Sequence, residues 1–254
     1  MNKCVFVTGA TNGTGFAIAE RFAKEGWNVF VGSRSLKNAN MAAKNLAERY
    51  NIVSKGYNYE SSPVDEAAIK EIFDDIRKSG FLLDSIVLNA ANLGIGQASL
   101  EVDLKDFFEV FETNVLWNFA MAREAAKQMI EKGGGSIVFV NSNSAIRVTE
   151  NRCAYCSSKS AVLAMSKSLA VDLGKYGIRS NCVLPGMIKT ERWEKNLYGS
   201  RDSLANRTPL GDIAEFSDVA NAVWYFASHE SRNTTGAELV VDGGMLASLI
   251  PHVD

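Results

Sequence analysis

Residues 3 to 15 constrain the fold more than any other stretch of the chain. Lys3-Cys4-Val5-Phe6-Val7-Thr8 is a short run with β-branched and aromatic residues, Gly9-Ala10-Thr11-Asn12-Gly13-Thr14-Gly15 follows it, and a helical pattern runs from Phe16 through Ala23. Strand, glycine turn and helix in that order open a nucleotide-binding βαβ unit. The glycines have a physical task there. Without Cβ atoms they allow a tight turn and let a pyrophosphate approach the backbone N–H groups at a helix N-terminus. The spacing, G-x-x-x-G-x-G, differs from the dinucleotide fingerprint G-x-G-x-x-G, and glycine turns also serve simply to join a strand to a helix.

The alternation begun there continues. Trp27–Ser33 predicts a second strand, Asn38–Tyr50 a helix, Val53–Tyr59 a third strand, and Asp65–Ser79 a helix whose Asp65 and Glu66 suit its positive N-terminal end. Ser85–Leu88 predicts a buried strand that ends in Asn89-Ala90-Ala91-Asn92 and a flexible Leu93–Gly96 segment. A long helix follows over about Leu104–Lys132, a strand over Ser136–Val140, a helix over about Arg152–Tyr176 and a strand over Ile178–Leu184. The stretch 187–207 has weak periodicity and reads as a mobile substrate lid, and Phe216–Ser228 and Glu238–Val241 close the chain with a helix and a strand. Residues 1–254 therefore predict one α/β domain: a Rossmann-like, doubly wound parallel sheet of about seven strands with helices on both faces.

Composition agrees. Of the 254 residues 46% are hydrophobic, enough to fill a core of that size. A formal net charge of −2 with no basic block gives no footing for nucleic acid or an anionic membrane surface. No apolar segment approaches the roughly 20 residues that span a bilayer. The apolar run at the start is too short for a signal peptide, so a cytoplasmic protein is expected. Four cysteines do not make a disulfide scaffold. Cys153-Ala154-Tyr155-Cys156 matches C-x-x-C, a form used by zinc sites and redox pairs. Cys4 and Cys182 stand apart, however, and only His229 and His252 could add imidazole, so no metal site is expected.

Tyr155 and Lys159 are four apart in a predicted helix, which sets an ammonium beside a phenol on one face. A phenol titrates near pH ~10, and a neighbouring fixed positive charge lowers that value toward neutrality, giving a usable proton donor and acceptor. The same spacing also arises by chance in helices. Asn114 lies among Val110, Phe111, Val115 and Leu116, so its amide must find partners, whether as a functional group or as a satisfied core amide. At the end of the second strand stand Ser33 and Arg34, where an acidic residue would favour NAD. An Arg there can grip a 2′-phosphate bidentately, which favours NADP(H); an Arg stem lying along apolar surface is the plainer reading.

Together these residues resemble the short-chain dehydrogenases/reductases over nearly the whole chain. Thr8 to Gly15 is similar to the cofactor turn of that family, Asn89-Ala90-Ala91 to its N-A-G segment and Asn114 to its helix asparagine. Ser142, thirteen residues before Tyr155, stands where its catalytic serine stands, and Tyr155, Lys159, Pro185-Gly186 and Val241-Asp242-Gly243-Gly244 complete the set. Thr14 replaces a usually apolar residue, and Leu88 and Ala91 sit where Asn and Gly are frequent. The acidic residue that often touches adenine has no clear counterpart, Glu60 and Ser62 being the nearest candidates.

The resemblance implies an oxidoreductase that moves a hydride between a nicotinamide cofactor, NADP(H) in preference to NAD(H), and a ketone or secondary alcohol. A hydroxysteroid, a sugar or a small carbonyl compound would serve as substrate, with a 3-oxoacyl thioester of the fatty-acid synthesis type as the alternative. It implies catalytic roles for Asn114, Ser142, Tyr155 and Lys159, with Asn114 anchoring a water that links Lys159 to solvent. It implies cofactor contacts from Gly9, Thr11, Asn12, Gly13, Thr14, Gly15, Ser33, Arg34, Asn89, Ala90, Tyr155, Lys159, Ile188 and Thr190. The substrate would lie between Asn143, Ser144, Ile146 and Val148 on one side and Met187, Trp193, Leu197 and Tyr198 on the other. A homotetramer or dimer is implied as well. The rival from another class is a non-catalytic nucleotide-binding regulator on the same fold; such a chain would be expected to lack a member of the catalytic set, and here none is lacking.

Overall fold

The computed structural model describes residues 3–94, 96–190 and 208–248. Its strands are β1 (Cys4–Thr8), β2 (Asn28–Ser33), β3 (Ser54–Asn58), β4 (Ser85–Leu88), β5 (Gly135–Val140), β6 (Ile178–Pro185) and β7 (Glu238–Val241). Among the described residues the α-helices are α1 (Gly13–Lys24), α2 (Leu36–Tyr50), α3 (Glu66–Lys78), α4 (Leu104–Phe111), α5 (Asn118–Lys132), α6 (Cys153–Leu173) and α7 (Phe216–Ala227). All seven strands are parallel, in the order β3-β2-β1-β4-β5-β6-β7.

This order follows from burial. Every residue of β1, β2 and β4 is buried, as strands covered by helices on both faces must be, and such strands read as continuous apolar runs. One core lies under α1, α2 and α7 and includes Val5, Val7, Ile18, Leu46 and Phe226. The other lies under α3, α5 and α6 and includes Phe6, Ile72, Trp117, Phe139 and Val162. Short-range chemistry starts the helices. Ser35, Asp65 and Asp103 accept hydrogen bonds from the first turns of α2, α3 and α4, and Glu215 and Asp218 form a reciprocal capping box on α7. In contrast, α1 starts at Asn12 with no side-chain cap.

The chain leaves β1 toward β2 on one side and returns to β4 on the other, so the C-terminal ends of β1 and β4 flank the topological switch point where open α/β sheets bind ligands. One predicted element differs. The long helix over 104–132 is broken by a π-helical segment, Glu112–Trp117, between α4 and α5, and this segment carries Asn114. A wider i→i+5 turn is rare, and it frequently marks functional positions. The end of the next predicted helix also tightens, α6 giving way to a 3₁₀ turn over Gly174–Tyr176. The predicted lid falls from residue 191 onward outside the described residues, and Trp193, Leu197 and Tyr198 go with it. No described helix is long and apolar enough to cross a membrane.

Candidate active site

The glycine turn is built so that only glycine fits its closest point. Gly9 and Gly13 take positive φ angles of 64° and 51°. A Cβ on Gly15 would stand 2.6 Å from Asn89 Nδ2 and closer still to the Gly9 carbonyl oxygen. Asn89 holds this arrangement. Its side-chain amide donates to the Thr8 and Gly9 carbonyl oxygens at 3.0 and 3.3 Å, while Thr8 Oγ1 accepts from the N–H groups of Asn89 and Ala90, both at 2.9 Å. The ends of β1 and β4 are thereby stitched together, and the Asn89 amide shapes the turn.

Beyond β2, Arg34 is exposed and Ser33 Oγ accepts from the Ser35 N–H at 3.2 Å. Tyr59 lies behind them. Burial pushes its phenol up to about 12, against a hydrogen bond with the Gly9 backbone and the charge of Arg34. Arg34 and the glycine turn thus face a common neighbour. Of the two candidates for an adenine contact, Ser62 donates to Glu112 at 2.5 Å and Glu60 is exposed.

Ser142 follows β5. Its Oγ accepts from the Ser144 N–H at 3.1 Å, which caps the 3₁₀ turn Asn143–Ala145, and its hydroxyl lies close enough to Tyr155 to favour the phenolate. On α6, Lys159 Nζ lies 5.7 Å from the centre of the Tyr155 ring. Lys159 is buried and donates to the Val140 carbonyl at 3.2 Å, and Asn141 Nδ2 donates to the Lys159 carbonyl at 3.0 Å. Serine, tyrosine and lysine therefore meet where β5 ends against α6.

Electrostatics depart from expectation here. Burial pushes Lys159 down to about 8. Burial also raises the Tyr155 phenol above its ordinary value, outweighing the Ser142 hydrogen bond and the Arg152 charge. The predicted lowering of the phenol is thus reversed, because burial of the phenol itself disfavours its charged form more than its neighbours favour it.

Asn114, on the π segment, is fully buried. Its Oδ1 accepts from the Asn92 N–H at 2.7 Å, and its Nδ2 donates to the Asn92 carbonyl at 2.9 Å and to Ser158 Oγ at 3.0 Å. Its own carbonyl accepts from Asn118 Nδ2 at 2.8 Å. The side chain thereby ties the segment after β4 to α6. Ile188 bridges to Ala214 and packs against the α1 and α7 core, while Thr190 is half-buried.

Two neighbours escaped the sequence. Arg152, at the start of α6, donates to the Leu93 and Gly94 carbonyls at 2.8 and 3.3 Å and acts on Tyr155 by its charge. Its only sequence signal is its place at the start of a predicted helix. Cys182, fully buried on β6, lies close enough to act on Lys159, and only the register of β5 with β6 could have placed it. A separate cleft of about 440 Å³ opens among Lys3, Arg179 and Arg232, and none of the expected site residues lines it.

A doubly wound sheet with a glycine turn at its switch point and a serine, tyrosine and lysine gathered beyond β5 defines the class, a dinucleotide-dependent oxidoreductase. A family model described as enoyl-(acyl carrier protein) reductase matches residues 9–246, and the chain belongs to the short-chain dehydrogenase/reductase family. A 3-oxoacyl-[acyl-carrier-protein] reductase of Rickettsia typhi is 33% identical over 246 residues, covering 96% of this chain and 97% of that protein. A 7alpha-hydroxysteroid dehydrogenase of Paraclostridium sordellii is 34% identical over 253 residues, covering 96% and 91%. The structure of L-sorbose reductase from Gluconobacter frateurii, complexed with NADPH and L-sorbose, matches with a TM-score of 0.90 at 28% identity, covering 98% of each chain.

Proposed function

We propose that this protein interconverts a ketone and a secondary alcohol with NADP(H). The observation that carries the reading is the Ser142–Tyr155 hydroxyl pair with Lys159 one helical turn beyond it. Two features fit a dinucleotide: the α1 N-terminus has no side-chain cap, and a Cβ at Gly15 would fill the cradle beside it. When bound, the nicotinamide supplies the hydride. Ser142 and Tyr155 donate hydrogen bonds to the substrate carbonyl oxygen, stabilising the negative charge that grows there, and Tyr155 passes its proton to that oxygen. In the oxidation direction Tyr155 takes the proton back, with Lys159 favouring the phenolate. Lys159 would also hold the nicotinamide ribose hydroxyls, and Ile188 and Thr190 would serve the carboxamide end.

Burial fixes the pH dependence. Lys159, at about 8 in the free chain, is cationic below that pH and neutral above it, while the raised Tyr155 phenol keeps its proton through the same range. For carbonyl reduction, kcat/KM, which reports free-enzyme ionisations, should fall as pH rises past about 8. Lys159→Met should remove that limb along with most of the activity, and a profile still falling at the same pH in the variant would assign it to another group.

Arg34 supports NADP(H) over NAD(H). It is exposed beside the end of β2, with no carboxylate at that position. A charge-assisted grip on the 2′-phosphate contributes about 1.5–3 kcal/mol, or roughly 10- to 100-fold in affinity. Following Trp fluorescence, NADPH should bind tighter than NADH, and Arg34→Asp should reverse the order. An unchanged order would remove Arg34 from cofactor choice.

The Rickettsia relative favours a 3-oxoacyl thioester, whereas the steroid and sorbose enzymes favour other carbonyl substrates; all three share the reaction class. Leu104, Phe108 and Leu116, on and just after α4, are 83%, 57% and 51% exposed. This apolar surface supports pairing of subunits in a homotetramer or dimer.

A further inference from the structure

Cys153 and Cys156 have no part in the chemistry above, and their placement suits another. Cys153, the first residue of α6, is exposed; Cys156, one turn on, is 3% exposed, and both are free thiols. Helix geometry sets Cα atoms three residues apart at about 5 Å, inside the roughly 4.4–6.8 Å range that a disulfide spans. The Cβ atoms, about 5–6 Å apart in a helix, must close to about 3.8 Å. The first turn of a helix can yield in this way, because most of its N–H groups lack intrahelical acceptors. Here Arg152 offers α6 no side-chain cap, and the Cys156 N–H is held at 2.8 Å by the Arg152 carbonyl. Tyr155 lies between the two cysteines in the chain, on the same turn that the bond would distort, and Cys156 lies close enough for its charge to act on the phenol.

We propose that Cys153 and Cys156 form a redox-active pair: exposed Cys153 reacts with a small disulfide such as glutathione disulfide, and buried Cys156 resolves the adduct, closing a bond that displaces the Tyr155 hydroxyl and stops turnover. In the first step the Cys153 thiolate bonds to one glutathione sulfur, and the other glutathione leaves as thiolate and takes up the proton. Cys156 then attacks Cys153 Sγ and expels the second glutathione. Two protein thiols are oxidised and one disulfide is reduced to two thiols. The division of labour follows from exposure. C-x-x-C at a helix start is also a setting in which redox dithiols occur, and such bonds in a reducing compartment are transient and regulatory. Cys4 and Cys182 are fully buried, with thiols pushed up to about 12 and about 11, and they stay outside this chemistry. Loss of turnover rests on the catalytic reading of Tyr155; formation of the bond does not.

The test treats the reduced, full-length enzyme with glutathione disulfide and follows two readouts, peptide mass and turnover. Trypsin, cutting after Arg152 and Lys159, should release Cys153–Lys159 lighter by two hydrogens. Turnover should fall at least about tenfold, since a displacement of order 1 Å at a reacting group costs up to ~10²-fold, and dithiothreitol should restore it. Cys153→Ser should keep its turnover under oxidant, and Cys156→Ser should hold glutathione on Cys153 as a stable adduct. A wild-type peptide that keeps glutathione with no lighter form, or a lighter peptide with unchanged turnover, would overturn the proposal. A reduced enzyme with no turnover at all would strike the catalytic reading instead, and the peptide mass would still decide the pair.

Discussion

Tyr155→Phe should lower turnover by at least ~10²-fold, the usual scale for loss of a positioned acid and base, while leaving cofactor binding intact. The substitution removes one oxygen and keeps the ring. The contact with Lys159, 5.7 Å from the ring centre, survives, as does the packing of α6 against β6. What disappears is the hydroxyl beside Ser142, and with it the proton that neutralises the forming alkoxide. Ser142 retains its bond from the Ser144 N–H, so it stays in place as a lone donor unable to replace that proton transfer. Single-turnover kinetics beside a cofactor titration separates the two effects. Turnover near the wild-type rate would sink the assignment of Tyr155.

Gly15→Ala should abolish cofactor binding and destabilise the fold together. Its Cβ would press on the Gly9 carbonyl and come 2.6 Å from Asn89 Nδ2, and neither is a flexible tip that can swing away. Asn89 is held to Thr8 and Gly9, so relief must open the seam between β1 and β4. Overpacking of this kind costs about 1–3 kcal/mol, or a few degrees in Tm for a chain of this size, at ~2–4 °C per kcal/mol. Gly26→Ala is the control. Gly26 also has a positive φ, 74°, but nothing lies within 4 Å of its missing Cβ, so it should lose about 1 kcal/mol of stability and none of its affinity. Fluorescence titration and thermal melting of both variants make the comparison. Full NADPH affinity in Gly15→Ala would show that the turn does not cradle the cofactor.

Much of this architecture was legible because parallel strands covered on both faces must be apolar throughout, and β1, β2 and β4 are. Elements read from Cys4–Thr8 or Ser85–Leu88 needed no knowledge of their neighbours. The π segment was not legible. Val110, Phe111, Val115 and Leu116 supply apolar residues on both sides of Asn114, and such a pattern fits an uninterrupted helix equally well. Asn114 and Asn89 show a second limit. Their positions could be read from the chain, yet their partners lie tens of residues away, at Ser158 and at Thr8, and are set by how segments converge. The direction of the Tyr155 shift shows a third, since spacing reports the nearby ammonium and not the burial that opposes it. Arg152 and Cys182 belong to the same group: their effects on Tyr155 and Lys159 come from tertiary placement.

The central claim is hydride exchange with a carbonyl compound through Tyr155, and one measurement tests it most directly. NADPH absorbance is followed while wild-type and Tyr155→Phe enzyme meet a panel of 3-oxoacyl thioesters, ketosteroids, ketoses and small ketones. At least one class should be reduced with stoichiometric loss of NADPH by the wild type, and at least ~10²-fold more slowly by the variant. Tight NADPH binding with no consumption by the wild type across that panel would contradict the claim and restore the non-catalytic nucleotide-binding protein as the better reading.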